Sequence, residues 1–276
     1  MTMIKINNLN KAYGKINVLQ DINLHIKESE FVSFIGPSGC GKSTLINIIA
    51  GLDKATSGKV LVDEKEINGT HTDRIMVFQN AALFPWLDVY GNVAFGLKNI
   101  CKDPNEIRDK VEEVLRKVHL SKFKHHYPHQ LSGGMKQRVS IARSIVMDPK
   151  ILLMDEPFSA LDEQTRMLLH NELQEIWMET GKTILFVTHN IREAVKLSDR
   201  VIIMGIRPGC IVDDIAIDMA HPRQSTDSNL FYKEELIFRK LKVEIEKVAK
   251  EELGNEYNFE KNHLSWEHNN TMGGGI

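Results

Sequence analysis

Gly36-Pro37-Ser38-Gly39-Cys40-Gly41-Lys42-Ser43 decides the fold, because it stands between two segments of different periodicity. Upstream, residues 31–35 form a short apolar run of strand type. Downstream, Leu45, Ile46, Ile48 and Ile49 fall as they do on a buried helix, which Gly51 can end. A strand, a glycine-rich loop with G-x-x-x-x-G-K-[ST] spacing and a helix together make a cradle for phosphate. The glycines let backbone N–H groups turn inward around an oxyanion, and the helix start adds the positive end of its dipole. Lys42 is expected to meet the β- and γ-phosphates of a nucleotide and the Ser43 hydroxyl to ligate Mg²⁺. Gly36, Pro37, Ser38, Gly39, Cys40 and Gly41, with Thr44 just inside the helix, are expected to line the phosphate site.

Outward from this unit, residues 18–26 alternate around Ile22, Leu24 and Ile26, and residues 59–62 and 74–78 are further strand candidates. Ile107, Val111, Val114, Leu115 and Val118 recur on one face of a helix. Then strands over 151–154, 183–187 and 200–204 alternate with helices over 163–178 and 191–197. That order predicts an α/β fold: a mainly parallel, covered sheet core, an antiparallel β portion, and a helical lobe inserted at about 80–147. Residues 1–220 are expected to form this domain. Residues 221–276 are expected to be a polar extension, helical where Ile237, Leu241, Ile245 and Val248 share a face and mobile from about Gly254.

The chain has 276 residues, 42% hydrophobic and 26% charged, enough for a substantial core. A formal net charge of -2 disfavours nucleic acid as a partner held by electrostatics. Cys40, Cys101 and Cys210 are widely spaced with no C-x-x-C pair, which suits a reducing compartment. Residues 1–10 lack the basic and then apolar regions of a secretory signal. No apolar run approaches the roughly 20 residues of a spanning helix, so a membrane role is expected to be peripheral.

Ile151-Leu152-Leu153-Met154-Asp155-Glu156 is a buried-type strand running into two acids at its C-terminal end, the edge where the phosphate loop also lies. Asp155 is expected to hold Mg²⁺, directly or through water, and Glu156 to polarise an attacking water as general base. Leu131-Ser132-Gly133-Gly134-Met135-Lys136-Gln137-Arg138 offers a hydroxyl and backbone donors at a helix start.

This last stretch resembles the signature L-S-G-G-x-x-Q-R of the ABC ATPases, and matches to that family run in order across residues 2–215. The resemblance implies a phosphate-loop NTPase of the ABC type that binds and hydrolyses MgATP. Ser132, Gly133 and Gly134 of one subunit would close over the γ-phosphate held by the other in a homodimer. It further implies that Gln79 is the Q-loop glutamine at the metal and that Ser159-Ala160-Leu161-Asp162 is the D-loop, with Asp162 at the nucleotide. His189 would be the switch histidine joining the γ-phosphate to Glu156, and Tyr13 the ring that stacks on adenine.

Ala82-Leu83-Phe84-Pro85-Trp86-Leu87 and Arg207-Pro208-Gly209 resemble the importer branch for nitrate, sulfonates and taurine. There the loop receives an integral membrane permease. That branch implies ATP-driven solute uptake at the cytoplasmic face of the cell membrane, with an extracytoplasmic solute-binding protein as indirect partner. A soluble, non-transport ABC ATPase is the alternative; it usually carries a long coiled coil or a second cassette, and neither pattern is present. Near-normal turnover after Lys42→Ala, measured by phosphate release, would overturn the phosphate-loop expectation.

Overall fold

The computed structural model describes residues 2–224 and 227–253, with side chains as far as residue 250. Strands β1 (Thr2–Tyr13) and β2 (Ile16–Lys27) form a hairpin, and β4 (Ser57–Val62) and β5 (Lys65–Glu66) complete an antiparallel sheet in the order β2-β1-β4-β5. A second sheet comprises β3 (Phe31–Ile35), β6 (Arg74–Val77), β7 (Ile151–Asp155), β8 (Thr183–Val187), β9 (Arg200–Met204) and β10 (Ile211–Ala216). Its order is β10-β9-β3-β8-β7-β6, parallel throughout except for β10 at one edge.

The central strands β3 and β8 are buried at every position, and they are mainly apolar because both faces of the sheet are covered. Leu152, Met154, Ile184 and Phe186 point to one face, where helices α2 (Val89–Ile100), α3 (Pro104–Lys117), α4 (Gly133–Ile145) and α5 (Glu163–Thr180) close a core around Phe31 and Phe158. Ile151, Leu153, Leu185 and Val187 point to the other face. There α1 (Lys42–Ala50) is sandwiched between the two sheets, packing Leu45, Ile46 and Ile49 against Ile4, Ile6 and Ile22. Helices α6 (Ile191–Leu197) and α7 (Ser228–Leu253) cover the β9 end, with Ile237 and Leu241 buried against Val201 and Ile203.

All five apolar positions expected on the helix now named α3 are buried. Three strands were not legible in the sequence: β1, β10 and the two-residue β5. In β1 the pairing register shifts repeatedly, so bulges break the alternation that marks a strand. β10 is a polar edge strand that buries only Ile215. The expected tail from Gly254 onward lies outside the described residues. Among those described, no helix is long and apolar enough to cross a membrane.

Arg223 pins the segment after β10 to this frame. Its buried guanidinium donates to the carbonyls of Val195 (2.7 Å), Ser198 (2.6 Å), Ile217 (3.0 Å) and Met219 (2.8 Å), and burial lowers its pKa to about 10. Arg223→Leu removes a charged donor from each of those carbonyls, of which that of Ile217 keeps the Met219 N–H, and should lower the unfolding free energy by on the order of 3 kcal/mol. Urea denaturation measures this; an unchanged midpoint would show that the anchor carries no stability.

Candidate functional site

The strand order puts the C-terminal ends of β3, β8 and β7 side by side, and each runs directly into a loop with chemistry on it. After β3 the chain turns through the phosphate loop into α1. Gly41 takes φ 92°, and a Cβ there would come within 2.5 Å of Leu19 Cδ2, so both conformation and space require glycine. A Cβ on Gly36 would meet the Met204 carbonyl oxygen at 2.5 Å, which keeps the loop pressed against β9.

Lys42 is buried, and its ammonium donates to the carbonyls of Gly36 (2.8 Å) and Pro37 (3.0 Å). The lysine thereby holds the loop's shape from within. Ser43 Oγ donates to Asp155 Oδ1 at 3.0 Å, linking the start of α1 to the end of β7. Burial pushes the Asp155 carboxyl above its usual range; the Ser43 hydrogen bond opposes this, and the neighbouring Glu156 charge adds to it. Glu156 has φ 46°, and its N–H is held by the Val187 carbonyl at 2.9 Å. Its Oε2 lies 3.4 Å from His189 Nδ1 at the end of β8.

Ser38, Gly39, Gly41, Lys42, Ser43, Thr44, Glu156 and His189 thus line one open cleft of about 730 Å³, joined by Val18. Nothing in the sequence marks Val18, which reaches the cleft only because β2 runs behind the loop. Tyr13 is half exposed at the end of β1. Its hydroxyl donates to Asp53, which raises the phenol above its ordinary pKa, while Thr44 acts weakly in the opposite sense. Lys11 Nζ sits 4.4 Å from the ring centre and 2.6 Å from Asp53 Oδ1, so one face of the ring is covered by a cation. The sequence reading missed Lys11 and Asp53, since only the fold brings β1 to the end of α1.

The other expected residues stand apart. Gln79 is exposed beyond β6, outside the cleft lining. Ser132 caps α4, accepting from the Met135 N–H at 3.3 Å, and Ser132 and Gly133 are exposed. Asp162 caps α5 through the Thr165 N–H (2.9 Å) and hydroxyl (2.8 Å), which hold its carboxyl below the usual range. Neither turn contributes to the cleft.

Two readings of Cys40 stand on its sequence: Lys42 and the helix start favour a reactive thiolate, its small size a buried space-filler, and its side chain is fully buried and lines no part of the cleft. Burial outweighs Lys42 and raises the thiol pKa.

Residues 19–159 match the family model for the ABC transporter. An uncharacterized ABC transporter ATP-binding protein of Methanocaldococcus jannaschii is 47% identical over 90% of this chain and 94% of its own length. The chain belongs to the ABC transporter family. Its nucleotide binding and ATPase activity follow from that membership.

A nitrate import ATP-binding protein of Synechocystis is 45% identical to this ABC chain over 83% of it and 88% of the relative. An aliphatic sulfonates import ATP-binding protein of Bacillus licheniformis is 45% identical over 78% and 85%. Among solved structures, a dimeric bacterial ABC transporter cassette matches with TM-score 0.70 and 38% identity over 79% of this chain and all of that one. The structure of cbiO1 of Clostridium perfringens, part of the ABC transporter complex cbiONQ, matches with TM-score 0.75 and 30% identity over 90% of this chain and 97% of that one.

The Phe84 loop of this ABC chain is rigidly built. Asn92 binds the Phe84 N–H (2.8 Å) and the carbonyls of Phe84, Leu87 and Asp88, while Arg143 donates to those of Ala81 and Ala82. Phe84 packs on Phe95 at 4.4 Å, and Trp86 is left 69% exposed. For Cys40, treating the native protein with iodoacetamide at neutral pH should label the partly exposed Cys101 and Cys210 first. Cys40 should react only on unfolding; peptide mapping that finds it among the first thiols modified would refute its burial.

Proposed function

We propose that this chain is the ATP-hydrolysing subunit of an importer for a small oxyanion of the nitrate or sulfonate class, acting as a homodimer on a separate permease. One observation carries the proposal: the phosphate loop, Glu156 and His189 share a cleft, whereas Ser132 and Gly133 at the start of α4 are exposed and lie outside it with Gly134. A site split in this way is completed by a second copy, whose turn supplies the missing anion donors. The names of the nitrate and sulfonate relatives support import, and the dimeric cassette supports the pairing. The soluble, non-transport alternative draws no support from either.

In this reading the loop amides and Lys42 receive the phosphates, Lys42 leaving its own carbonyls to do so. Glu156 accepts the proton of the attacking water, and His189 orients it against the γ-phosphate. Tyr13 offers its uncovered face to adenine, and Asp162 supports the nucleotide across the dimer.

The residues present suit Mg²⁺. Ser43 and Asp155 offer hard oxygen donors already hydrogen-bonded together, and Gln79 would add an amide oxygen. Among the described residues no group of three His, Cys, Asp or Glu could cage a metal alone, as expected for an ion shared with substrate phosphates. Bound there, it would neutralise charge on the β- and γ-phosphates. The exposed Trp86 and its Phe84–Phe95 support would receive the permease at the cytoplasmic membrane face, with an extracytoplasmic solute-binding protein delivering the anion.

Glu156→Gln should reduce phosphate release by about 10²- to 10⁴-fold while retaining ATP binding, and the variant should accumulate as a dimer with MgATP. Lys42→Ala should instead lose binding. Light scattering after size exclusion separates the two; near-normal turnover in Glu156→Gln would remove the base assignment. The double variant Phe84→Ala, Trp86→Ala should keep nucleotide affinity and lose recovery of the co-expressed permease from membranes. Undiminished recovery would reject the docking loop.

A further inference from the structure

We propose that Glu193 is a positioning residue for hydrolysis: its buried carboxylate fixes the loop that presents His189 and ties it, through Arg166, to the turn at residues 159–162. The inference rests on the assignment of His189 and Glu156 made above and extends it to groups outside the cleft.

Glu193 stands in the first turn of α6 but does not cap it. Asn190 does that, accepting from the N–H groups of Arg192 (2.9 Å) and Glu193 (3.3 Å). The Glu193 carboxylate turns inward, 6% exposed, toward groups on two other segments. Oε2 accepts the Thr188 hydroxyl at 2.5 Å. Oε1 faces His170 Nε2 at 3.3 Å and Arg166 Nε at 3.5 Å, both on α5.

The Thr188 hydroxyl has a second bond, accepting the Asn190 N–H at 3.0 Å. His189 is therefore the middle residue of a turn closed by that hydroxyl, and Glu193 decides which way the hydroxyl points. The Thr188 N–H is also fixed, to the Phe34 carbonyl at 3.2 Å. Little freedom remains in the backbone that carries the imidazole to within 3.4 Å of Glu156.

Arg166 extends the tie. Its Nη2 donates to the Leu161 carbonyl at 2.8 Å and its Nη1 to Glu163 at 3.0 Å. Leu161 belongs to the turn whose Asp162 caps α5 and which packs beside Gly133. A buried carboxylate with a cation and two hydrogen-bonding groups on its oxygens resists displacement, since breaking any one partnership leaves charge unpaired in a poorly solvated place. The 159–162 turn and the His189 turn consequently move as one body. A change in the first on dimer closure would be felt in the aim of the second.

Glu193→Gln keeps the size but replaces one carboxylate oxygen with an amide NH₂ and removes the charge, so it cannot both accept the Thr188 hydroxyl and hold the ion pair with Arg166. Its kcat should fall by about 10- to 100-fold, the scale of a modest misplacement of a reacting group, with KM for MgATP within about twofold of the parent. In a His189→Ala background the same substitution should cost nothing further in single-turnover phosphate release, because its effect passes through His189. Ring-proton NMR of the nucleotide-free protein should show His189 shifted in Glu193→Gln while far-UV circular dichroism is unchanged.

An unaltered kcat, an equal loss in both backgrounds, or an unmoved His189 resonance would each overturn the proposal. Normal turnover in His189→Ala alone would instead remove the role of His189, and the His189 resonance would still decide whether Glu193 positions that turn. Arg166→Met should reproduce the kcat loss more weakly; a loss confined to KM would place Arg166 outside the tie.

Discussion

Phe34 lies in register with Val187 across the parallel pair β3–β8, and Val187 in register with Asp155 across β8–β7. Three strands from distant parts of the chain therefore end at one level. Parallel neighbours all point the same way, so their C-terminal ends share an edge. Had the register slipped by one residue, Phe186 and Leu185 would have exchanged places between the two cores, and neither core would then pack with the side chains it now holds. The two cores on either side of this sheet thus fix the register, and the register fixes how far the phosphate loop, Glu156 and His189 lie from one another.

The edge so formed is electrostatically uneasy, and it is held by local bonds. Two carboxylates follow one another, Asp155 partly buried and raised in pKa, Glu156 in a left-handed conformation that few non-glycine residues adopt. Ser43 and Lys42 offset the first acid, while the Val187 carbonyl pins the second. Because protonated Asp155 is favoured by the fold, this carboxyl costs stability at neutral pH and the cost is relieved as pH falls through its raised pKa. A cation beside Asp155 would relieve the same cost, which is the physical sense in which the edge suits Mg²⁺ and phosphates.

Behind the edge lies a second layer of polar anchors that never reach the cleft: Glu193 with Arg166 and His170, and Arg223 among four carbonyls. Each closes a gap between elements that meet only in three dimensions. The exposed Ser132 turn and the exposed Trp86 face outward from the helical lobe, so the same frame that rigidifies the cleft also carries the surfaces proposed to meet a second copy and a permease.

The amino-acid sequence alone determined the parallel core strands, the phosphate loop, the acids after β7 and the family, because each is a local pattern: an apolar run, a glycine spacing, a turn at a strand end. It even placed the buried face of α3 and the Ile237 and Leu241 part of that of α7, where Ile245 and Val248 are only half-buried, since helical periodicity survives without tertiary context. It did not disclose β1, whose bulges erase alternation, or β10, whose polarity is that of an edge. It left Cys40 open between an activated thiol and a buried space-filler, and only the packing around the loop shows that burial prevails. Nor could it pair Tyr13 with Asp53, bring Val18 to the cleft, or tie Glu193 to Thr188 and Arg166. Those contacts join residues with no common local pattern, and a pair potential between distant positions acts only after the sheets have folded around α1 and brought them within hydrogen-bonding distance.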